Sequence, residues 1–166
     1  MERSLQGSDR TKNRIHVGRM FAIIFEKNAE LAEGHPLRKF KARVVFQGNN
    51  VKDEMSYEAL FQDLGSAPAS MSAAKFADYL SCCEGFGGEM SDAVRAYTQA
   101  LLKGTETWIR LPREEWPKAW AGMRDPVVPL RLALYGHPDS GSHWEQHCDQ
   151  ALKAVEFETI PNWPGC

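Results

Sequence analysis

Residues 89–100 have the sequence E-M-S-D-A-V-R-A-Y-T-Q-A and follow the glycine-rich run G-F-G-G at 85–88. Glycine lets the backbone turn freely and come close to other groups. Alanine and tyrosine side chains then recur at helical spacing between Ala93 and Ala100, which predicts a short helix that Gly104 closes. Asp92 therefore stands where an extended segment passes into that helix. Its carboxylate can cap the helix or bind a hard cation, and this stretch alone favours the cap.

The residues before this stretch predict a β-hairpin. The run M-F-A-I-I-F at 20–25 is typical of a strand that is buried on both faces. Residues 40–47 alternate in part and form the second strand, which carries Lys41 and Arg43 as basic side chains on one face. Residues 1–18 are largely polar, and we expect them to be a disordered or frayed lead-in to one folded domain at 19–166.

The remaining segments predict a mixture of helices and strands. Apolar side chains recur at helical spacing over residues 57–64, which predicts a short helix. Residues 71–83 predict a stronger helix that Ser66 or Ser70 can cap, and residues 144–157 predict a last helix. In the last helix we expect Trp144, Cys148, Ala151, Leu152 and Val155 to face the core. Residues 106–111 alternate like a strand, and residues 113–120 predict one or two helical turns. The pattern indicates an α+β fold rather than a regular βαβ alternation.

Composition and charge exclude some classes of protein. The 166 residues are 43% hydrophobic and 25% charged, which is ordinary for a globular domain. A formal net charge of −2 excludes a globally basic nucleic-acid binder but not a local basic patch, and basic residues do concentrate between residues 10 and 43. The four cysteines match neither a disulfide framework nor a zinc knuckle, and we find no signal peptide or membrane span. We expect a soluble intracellular protein, cytoplasmic or nuclear, without a membrane partner.

Three histidines near the end of the chain, His137, His143 and His147, could also carry chemistry. His143 and His147 are one helical turn apart, a spacing that can hold zinc on one face of a helix. The stretch H-W-E-Q-H lacks the glutamate directly after the first histidine that the metalloprotease signature requires. Surface histidines on an amphipathic helix are the simpler interpretation of this pair.

Four stretches, in order along the chain, resemble the reverse transcriptase domain of Ty1/copia-type retrotransposons. K-A-R-V-V-F-Q-G at 41–48 is similar to the basic fingers strand K-A-R-L-V-A-K-G, and residues 92–97 resemble the first aspartate motif D-V-K-T-A-F. E-T-W-I-R-L-P at 106–112 resembles E-V-Y-M-x-x-P, and L-R-L-A-L-Y-G at 130–136, followed by Trp144, is similar to L-K-K-A-L-Y-G-L-K-Q-A-P-R-A-W. Together they cover roughly residues 19 to 160. The resemblance implies an α+β fold in which an antiparallel fingers hairpin and helices pack on an incomplete palm sheet.

The same resemblance implies roles for particular residues. Asp92 would bind Mg²⁺ as one carboxylate of a two-metal nucleotidyl-transfer site. Lys41 and Arg43 would face the nucleotide triphosphate, and the ring of Tyr97 would lie against the sugar and favour deoxynucleotides. Gly136 would let the backbone approach the new base pair. Without the resemblance, the basic pair is an ordinary solvated strand and Tyr97 an ordinary core tyrosine.

Departures from the family pattern bear on activity. The family's L-K-Q-A-P is replaced by H-P-D-S-G at 137–141, and Arg95 occupies the place of a small hydroxyl residue. The second aspartate motif, Y-V-D-D, does not occur in the sequence. We therefore expect a fragment of an RNA-directed DNA polymerase that binds template-primer and deoxynucleotide in the intact enzyme and has little activity alone. A non-catalytic relic or a nucleic-acid-binding module is the alternative, and the oligomeric state stays open.

Overall fold

The computed structural model describes residues 14–61, 69–161 and 163. Within these residues the chain forms four strands: β1 (Ile15–Lys27), β2 (Lys39–Phe46), β3 (Glu106–Arg110) and β4 (Val128–Pro129). The helices of the same part are α1 (Met71–Ser81), α2 (Ser140–Lys153) and three short 3₁₀ helices, Ala96–Gln99, Arg113–Glu115 and Lys118–Trp120. The strands form one mixed sheet in the order β2-β1-β3-β4. The chain is therefore of the α+β class, as the sequence predicts.

β1 is the central strand and has two different partners along its length. Its outer half pairs antiparallel with β2, from Met20 opposite Phe46 to Lys27 opposite Lys39, so the predicted hairpin is confirmed. Its first residues pair in parallel with β3, from Ile15 to Arg19. The expected boundary between residues 18 and 19 thus falls inside a strand. The rest of the expected lead-in, residues 1–13, lies outside the described residues.

The outer half of the hairpin is exposed, so the prediction that this run is buried on both faces is wrong. Phe21, Ile23, Ile24 and Phe25 expose between 40% and 68% of their surface. The reason is the length of β3, which ends at Arg110 opposite Arg19. Beyond that point β1 has a pairing partner on one side alone, and no helix of the described part packs on its faces. An apolar run can form a strand without being covered.

The core lies at the base of the hairpin. Phe46, Val51 and Ile109 are buried and form its centre, and partly buried side chains surround them: Met20, Ala59, Phe61, Leu111, Val128, Leu130 and Leu134. Gly18 on β1 lies directly against the ring of Phe46, and a Cβ at this position would overlap that ring. The base of the sheet therefore needs a residue without a side chain at position 18.

Residues 57–61 contain no helical turn, so the helix predicted for residues 57–64 is wrong over this part, and residues 62–64 lie outside the described residues. The Oδ1 atom of Asp53 accepts hydrogen bonds from the backbone N–H groups of Met55 and Tyr57, both at 2.9 Å. This turn reverses the chain, and the N–H of Ala59 then bonds to the carbonyl of Val51 at 2.9 Å. The turn that the Asp53 side chain stabilises thus forms in place of the helix that the weak apolar pattern predicts.

α1 is the helix that the sequence predicts best, although its apolar side is poorly covered. Ser70 is its N-cap, with Oγ accepting from the N–H of Ala73 at 3.1 Å. Ala73 is the buried residue of α1, while Met71 is 71% and Tyr79 65% exposed. α1 touches no other helix or strand of the described part, and its aromatic contact is the edge of Trp163 against Phe76, at 5.6 Å between ring centroids.

α2 begins four residues before the predicted start, and its buried face differs from the predicted one. Ser140, Ser142 and His143 are buried, whereas Leu152 and Val155, expected to face the core, are exposed. The Ser140 hydroxyl accepts from the Leu134 N–H at 2.9 Å and donates to the Leu134 carbonyl at 2.8 Å. These bonds hold the first turn of α2 against the preceding loop. Neither α-helix of the described part is long and apolar enough to cross a membrane.

Candidate nucleic-acid interface

Tyr97 is held beside Tyr135 by a short pairing between two loops. The 3₁₀ helix Ala96–Gln99 starts after Arg95, whose φ of 56° turns the chain into it. Behind this helix the N–H of Ala133 bonds to the carbonyl of Ala100 at 2.9 Å, and both alanines are buried. Small side chains let the two segments approach closely. The Tyr97 and Tyr135 rings then meet edge to face, with centroids 4.7 Å apart and an interplanar angle of 73°.

Gly136 brings the backbone next to Tyr135 against the end of β2. The N–H of Phe46 donates to the Tyr135 carbonyl at 2.6 Å. Gly136 has a φ of 85°, and a Cβ there would overlap the carbonyl oxygen of Phe46. The positive φ and the lack of space for a Cβ both require a glycine here, because L-residues avoid this backbone region. The close approach observed is to β2, and the implied approach of Gly136 to a base pair stays a prediction.

Arg43 lies between two aromatic rings. Its guanidinium carbon is 5.9 Å from the ring centroid of Phe25 and 5.9 Å from that of Tyr135. Both distances are within the range of cation–π attraction. The structure thus brings Arg43, Tyr97 and Gly136, which are far apart in the sequence, together around Tyr135.

Lys41 lies on the same face of the hairpin as Arg43. The antiparallel register places Lys41 opposite Phe25 and Arg43 opposite Ile23, and residues directly opposite each other share a face. Lys41 is exposed and two residues from Arg43, so both side chains leave the strand on the same side. We call this surface the basic–aromatic face; its residues are Phe21, Ile23, Phe25, Lys39, Lys41, Arg43, Tyr97 and Tyr135.

The sequence did not mark Phe25 and Tyr135 as site residues. Tyr135 lies within the stretch similar to L-K-K-A-L-Y-G, directly before Gly136, so its position was a usable signal. Phe25 was assigned to a buried strand, and its exposure follows from the short β3. A row of cations beside exposed rings can bind phosphates and stack bases at the same time.

Asp92 takes no part in the contacts around Tyr135. It is exposed in an irregular segment before the 3₁₀ helix, and in the described part of the chain its carboxylate has no hydrogen-bond or ion-pair partner. The residue at the N-cap position of that helix is Arg95, so the cap interpretation of Asp92 is wrong. The helix predicted between Asp92 and Gly104 is reduced to the 3₁₀ helix Ala96–Gln99.

Asp92 also does not suffice for the Mg²⁺ site that the resemblance implies. Among residues 14–61, 69–161 and 163, no group of three or more His, Cys, Asp or Glu side chains is arranged to hold a metal ion. Magnesium requires near-octahedral oxygen coordination, and a two-metal centre needs more than one carboxylate. The described residues therefore do not fit this centre, and we derive no reaction step through it.

His137 belongs to a cluster of buried polar side chains that includes Thr107 and His16 of the sheet. Its Nδ1 accepts from the N–H of Asp139 at 3.2 Å, so Nε2 carries the proton and donates to Thr107 Oγ1 at 3.3 Å. The Thr107 hydroxyl in turn donates to the Thr105 carbonyl at 3.3 Å. Burial lowers the pKa of His137 to about 4, so this imidazole is neutral at physiological pH.

Two further groups of this cluster are perturbed by burial. Burial lowers the pKa of His16, which the carboxylate of Asp139 partly opposes. Burial raises the pKa of Asp139, against the influence of His143 and His16. The sequence singled out His137 among the late histidines, but nothing in it placed His16 in the same cluster.

His143 and His147 lie on α2 at the predicted spacing of one turn. The Nε2 atom of His143 is 3.4 Å from the backbone nitrogen of Lys103 and 3.2 Å from its carbonyl oxygen. The ring of His147 packs against Trp144 with centroids 5.8 Å apart. His143 is buried and uses Nε2 to fix the Lys103 backbone, so the interpretation of both histidines as surface residues is wrong for His143. The weaker alternative, zinc binding by the pair, has no support from this geometry.

No model of a known protein family matches the chain, and no solved structure matches it either.

Proposed function

We propose that this chain binds nucleic acid through the basic–aromatic face, as the fingers and partial palm of a copia-type reverse transcriptase. The observation that carries the proposal is the convergence of Arg43 and Tyr97 on Tyr135. The resemblance assigns Arg43 and Tyr97 to the nucleotide by their motifs, which are separated by some 50 residues of sequence. Their contact through one exposed ring supports a common site.

The basic side chains of the face suit the phosphates of a nucleic acid, and its aromatic rings suit the bases. Lys41 and Arg43 supply positive charge for phosphates, with Lys39 next along the same strand. The exposed rings of Phe25 and Tyr135 supply flat surfaces on which bases can stack, an interaction worth about 1–3 kcal/mol per base. The net charge of −2 makes this local patch, rather than the whole molecule, the attractive surface.

A binding experiment on the purified chain tests the proposal. Fluorescence anisotropy with a labelled RNA–DNA template-primer should show binding that weakens with salt, because phosphate contacts release counterions. We expect the double variant Lys41→Ala/Arg43→Ala to bind roughly fivefold to tenfold more weakly. Its salt slope should fall by about 1 for each phosphate that the variant no longer neutralises.

The matched control removes the same charge elsewhere. Lys75 on α1 and Lys118 in a 3₁₀ helix are both exposed, and Lys75→Ala/Lys118→Ala should leave affinity and salt slope unchanged. Tyr135→Leu should weaken binding at high salt as well, since stacking does not depend on counterions. Equal weakening by the two double variants would show that the face has no special role.

The described residues place no group of metal-ligating side chains around Asp92, which favours a role in binding without catalysis for this chain. We therefore expect no primer extension on an RNA template with magnesium or manganese. Extension that Asp92→Asn abolishes would overturn this view and would identify Asp92 as a catalytic ligand.

A further inference from the structure

A cavity of about 430 Å³ lies where β3 ends beside β1. Its walls include Arg19, Phe21, Arg110, Arg113, Trp116 and Asp125. Phe21 also belongs to the basic–aromatic face, so the cavity adjoins the surface that we assign to nucleic acid. Neither Lys41 nor Arg43 lines it. Its size falls in the range of small-molecule sites, about 300–1,000 Å³.

Two of the arginines in the walls stand side by side on the sheet. β1 and β3 run parallel here with Arg19 directly opposite Arg110, so the two side chains leave the same face. Like charges placed opposite each other on a sheet repel. Asp125 offsets one of them, because the Nε atom of Arg110 lies 3.0 Å from each of its carboxylate oxygens. The side chain of Arg19 forms no hydrogen bond or ion pair within the described part of the chain.

Arg113 is the third arginine of the cavity, and an aromatic wall positions it. Its guanidinium carbon is 5.5 Å from the ring centroid of Trp116, within the range of cation–π attraction. The indole Nε1–H of Trp116 donates to the Leu111 carbonyl at 3.1 Å, and the Trp120 ring meets the indole edge to face at 6.2 Å between centroids. Trp116 is therefore held from two sides. The Arg113 side chain makes no hydrogen bond or ion pair with any residue that the structure describes.

The walls carry an excess of positive charge. Three arginines face one aspartate among the described residues that line the cavity, and Arg110 already holds the Asp125 carboxylate. Arg19 and Arg113 are left without a counter-charge in these walls. A concave site lined by charge of one sign concentrates the electrostatic field and attracts an ion of the opposite sign. Guanidinium groups pair with phosphate through two parallel N–H donors, so phosphate is the anion that suits them.

We propose that this cavity binds the 5′-terminal phosphate of a nucleic-acid strand that lies along the basic–aromatic face. The inference rests on the proposed function, because Phe21 connects the cavity to that face. A terminal phosphate is a monoester with roughly 1.5 to 2 negative charges at pH 7, whereas an internal phosphodiester has one. The two guanidinium groups without a counter-charge match the terminal phosphate better. Strands ordinarily end in a 5′-phosphate and a 3′-hydroxyl, which assigns the monoester to the 5′ end.

Three single-stranded oligonucleotides of one sequence and about eight nucleotides test this assignment, a length within the site sizes of single-strand binders. One carries a 5′-phosphate, one a 3′-phosphate, and one has hydroxyls at both ends; each is labelled at the same internal base. Fluorescence anisotropy with the full chain should show that the 5′-phosphate tightens binding about fivefold to tenfold. The 3′-phosphate adds the same charge at the other end, and this strand should bind like the unphosphorylated one.

Two double variants locate the preference in the cavity. Arg19→Ala/Arg113→Ala should abolish the preference for the 5′-phosphate. Lys75→Ala/Lys118→Ala removes the same charge from positions that do not line the cavity and should keep the preference. The readout is the ratio of two affinities measured on one protein, so a variant that is partly unfolded weakens both affinities without changing their ratio.

The possible results separate this inference from the proposed function. Equal binding of the 5′-phosphorylated and unphosphorylated strands would overturn the cavity assignment while leaving the basic–aromatic face intact. An equal gain from the 3′-phosphate would overturn the assignment too, since it would show an effect of charge alone. A 5′-phosphate preference that survives in Arg19→Ala/Arg113→Ala would place the phosphate elsewhere. Absence of binding by all three strands would contradict both proposals.

Discussion

At the scale of single residues, Gly136 connects the fold to the proposed interface. Its positive φ and its overlap with Phe46 exclude a side chain at this position. The adjacent Tyr135 carbonyl is bonded to the Phe46 N–H, and the Tyr135 ring contacts both Tyr97 and Arg43. A change at Gly136 would therefore move the ring on which the interface is built.

Gly136→Ala should destabilise the protein by about 2–4 kcal/mol. A left-handed L-residue costs roughly 1–2 kcal/mol, and the overlap with the Phe46 carbonyl forces a further backbone shift. Urea unfolding measures this change. Gly34→Ala is the matched control, since Gly34 has a φ of 80° and a Cβ added there would have no other atom within 4 Å.

The control should be destabilised by no more than the backbone cost of a left-handed residue, about 1–2 kcal/mol. Equal destabilisation of the two variants would show that the close approach of Gly136 to β2 adds nothing to stability. Destabilisation beyond that cost in Gly136→Ala alone would locate the strain where Gly136 meets β2.

At the scale of elements, α1 is stabilised mainly by its own sequence. Ser70 caps α1, and its apolar side chains recur at helical spacing. However, no other helix or strand of the described part packs against it. Isolated helices of this length are marginal in water. The stability of α1 should therefore respond to local changes more strongly than the sheet does.

Ser70→Ala should destabilise α1 by about 1 kcal/mol, because the Ala73 N–H loses its acceptor. Amide hydrogen exchange of residues 71–81 should become faster by roughly fivefold, while the amides of β1 and β3 change little. Ser72→Ala, within the first turn of the same helix, is the control and should not accelerate exchange. Unchanged exchange in Ser70→Ala would mean that the cap does not limit the opening of α1.

At the scale of the whole molecule, the buried histidines couple stability to pH. His137 is neutral inside the fold because burial lowers its pKa from 6.5 to about 4. In the unfolded chain it protonates near pH 6.5. The unfolded state thus takes up more protons between these values, and the folded state loses stability as pH falls through that window.

The free energy of unfolding should decrease by up to about 3 kcal/mol from this residue between pH 6.5 and pH 4. His16 acts in the same direction, whereas Asp139, whose pKa is raised, acts in the opposite direction as acid is added. Urea unfolding at several pH values measures the sum. His137→Gln should flatten the dependence, and a variant as acid-sensitive as the parent chain would exclude His137 as its source.

Local signals explain how much of the fold could be predicted. The hairpin, α1, α2, β3 and the helical turns after Pro112 all follow from periodicity, caps and prolines that act within a few residues. The predictions that were wrong depend on structure outside the segment concerned. The exposure of the hairpin depends on where β3 ends, and the non-helical path of residues 57–61 depends on the Asp53 turn.

The candidate site was likewise predicted only in part from the sequence. Motif order suggested Lys41, Arg43, Tyr97 and Gly136, and the structure joins the last three around Tyr135. Asp92 was suggested equally strongly, but it forms no hydrogen bond or ion pair in the described part of the chain. His16 carried no sequence signal, because a single histidine in a strand becomes part of a cluster through contacts with distant segments alone.

The sequence by itself determined the α+β class, the hairpin and the two α-helices, because these depend on hydrogen bonds and side-chain patterns close along the chain. The tertiary structure alone decided which faces are covered, which residues meet at Tyr135, and that three arginines line one cavity beside the end of β3. Burial, ring contacts and pKa shifts all require segments far apart in sequence to come within a few ångströms, and no local pattern encodes those distances.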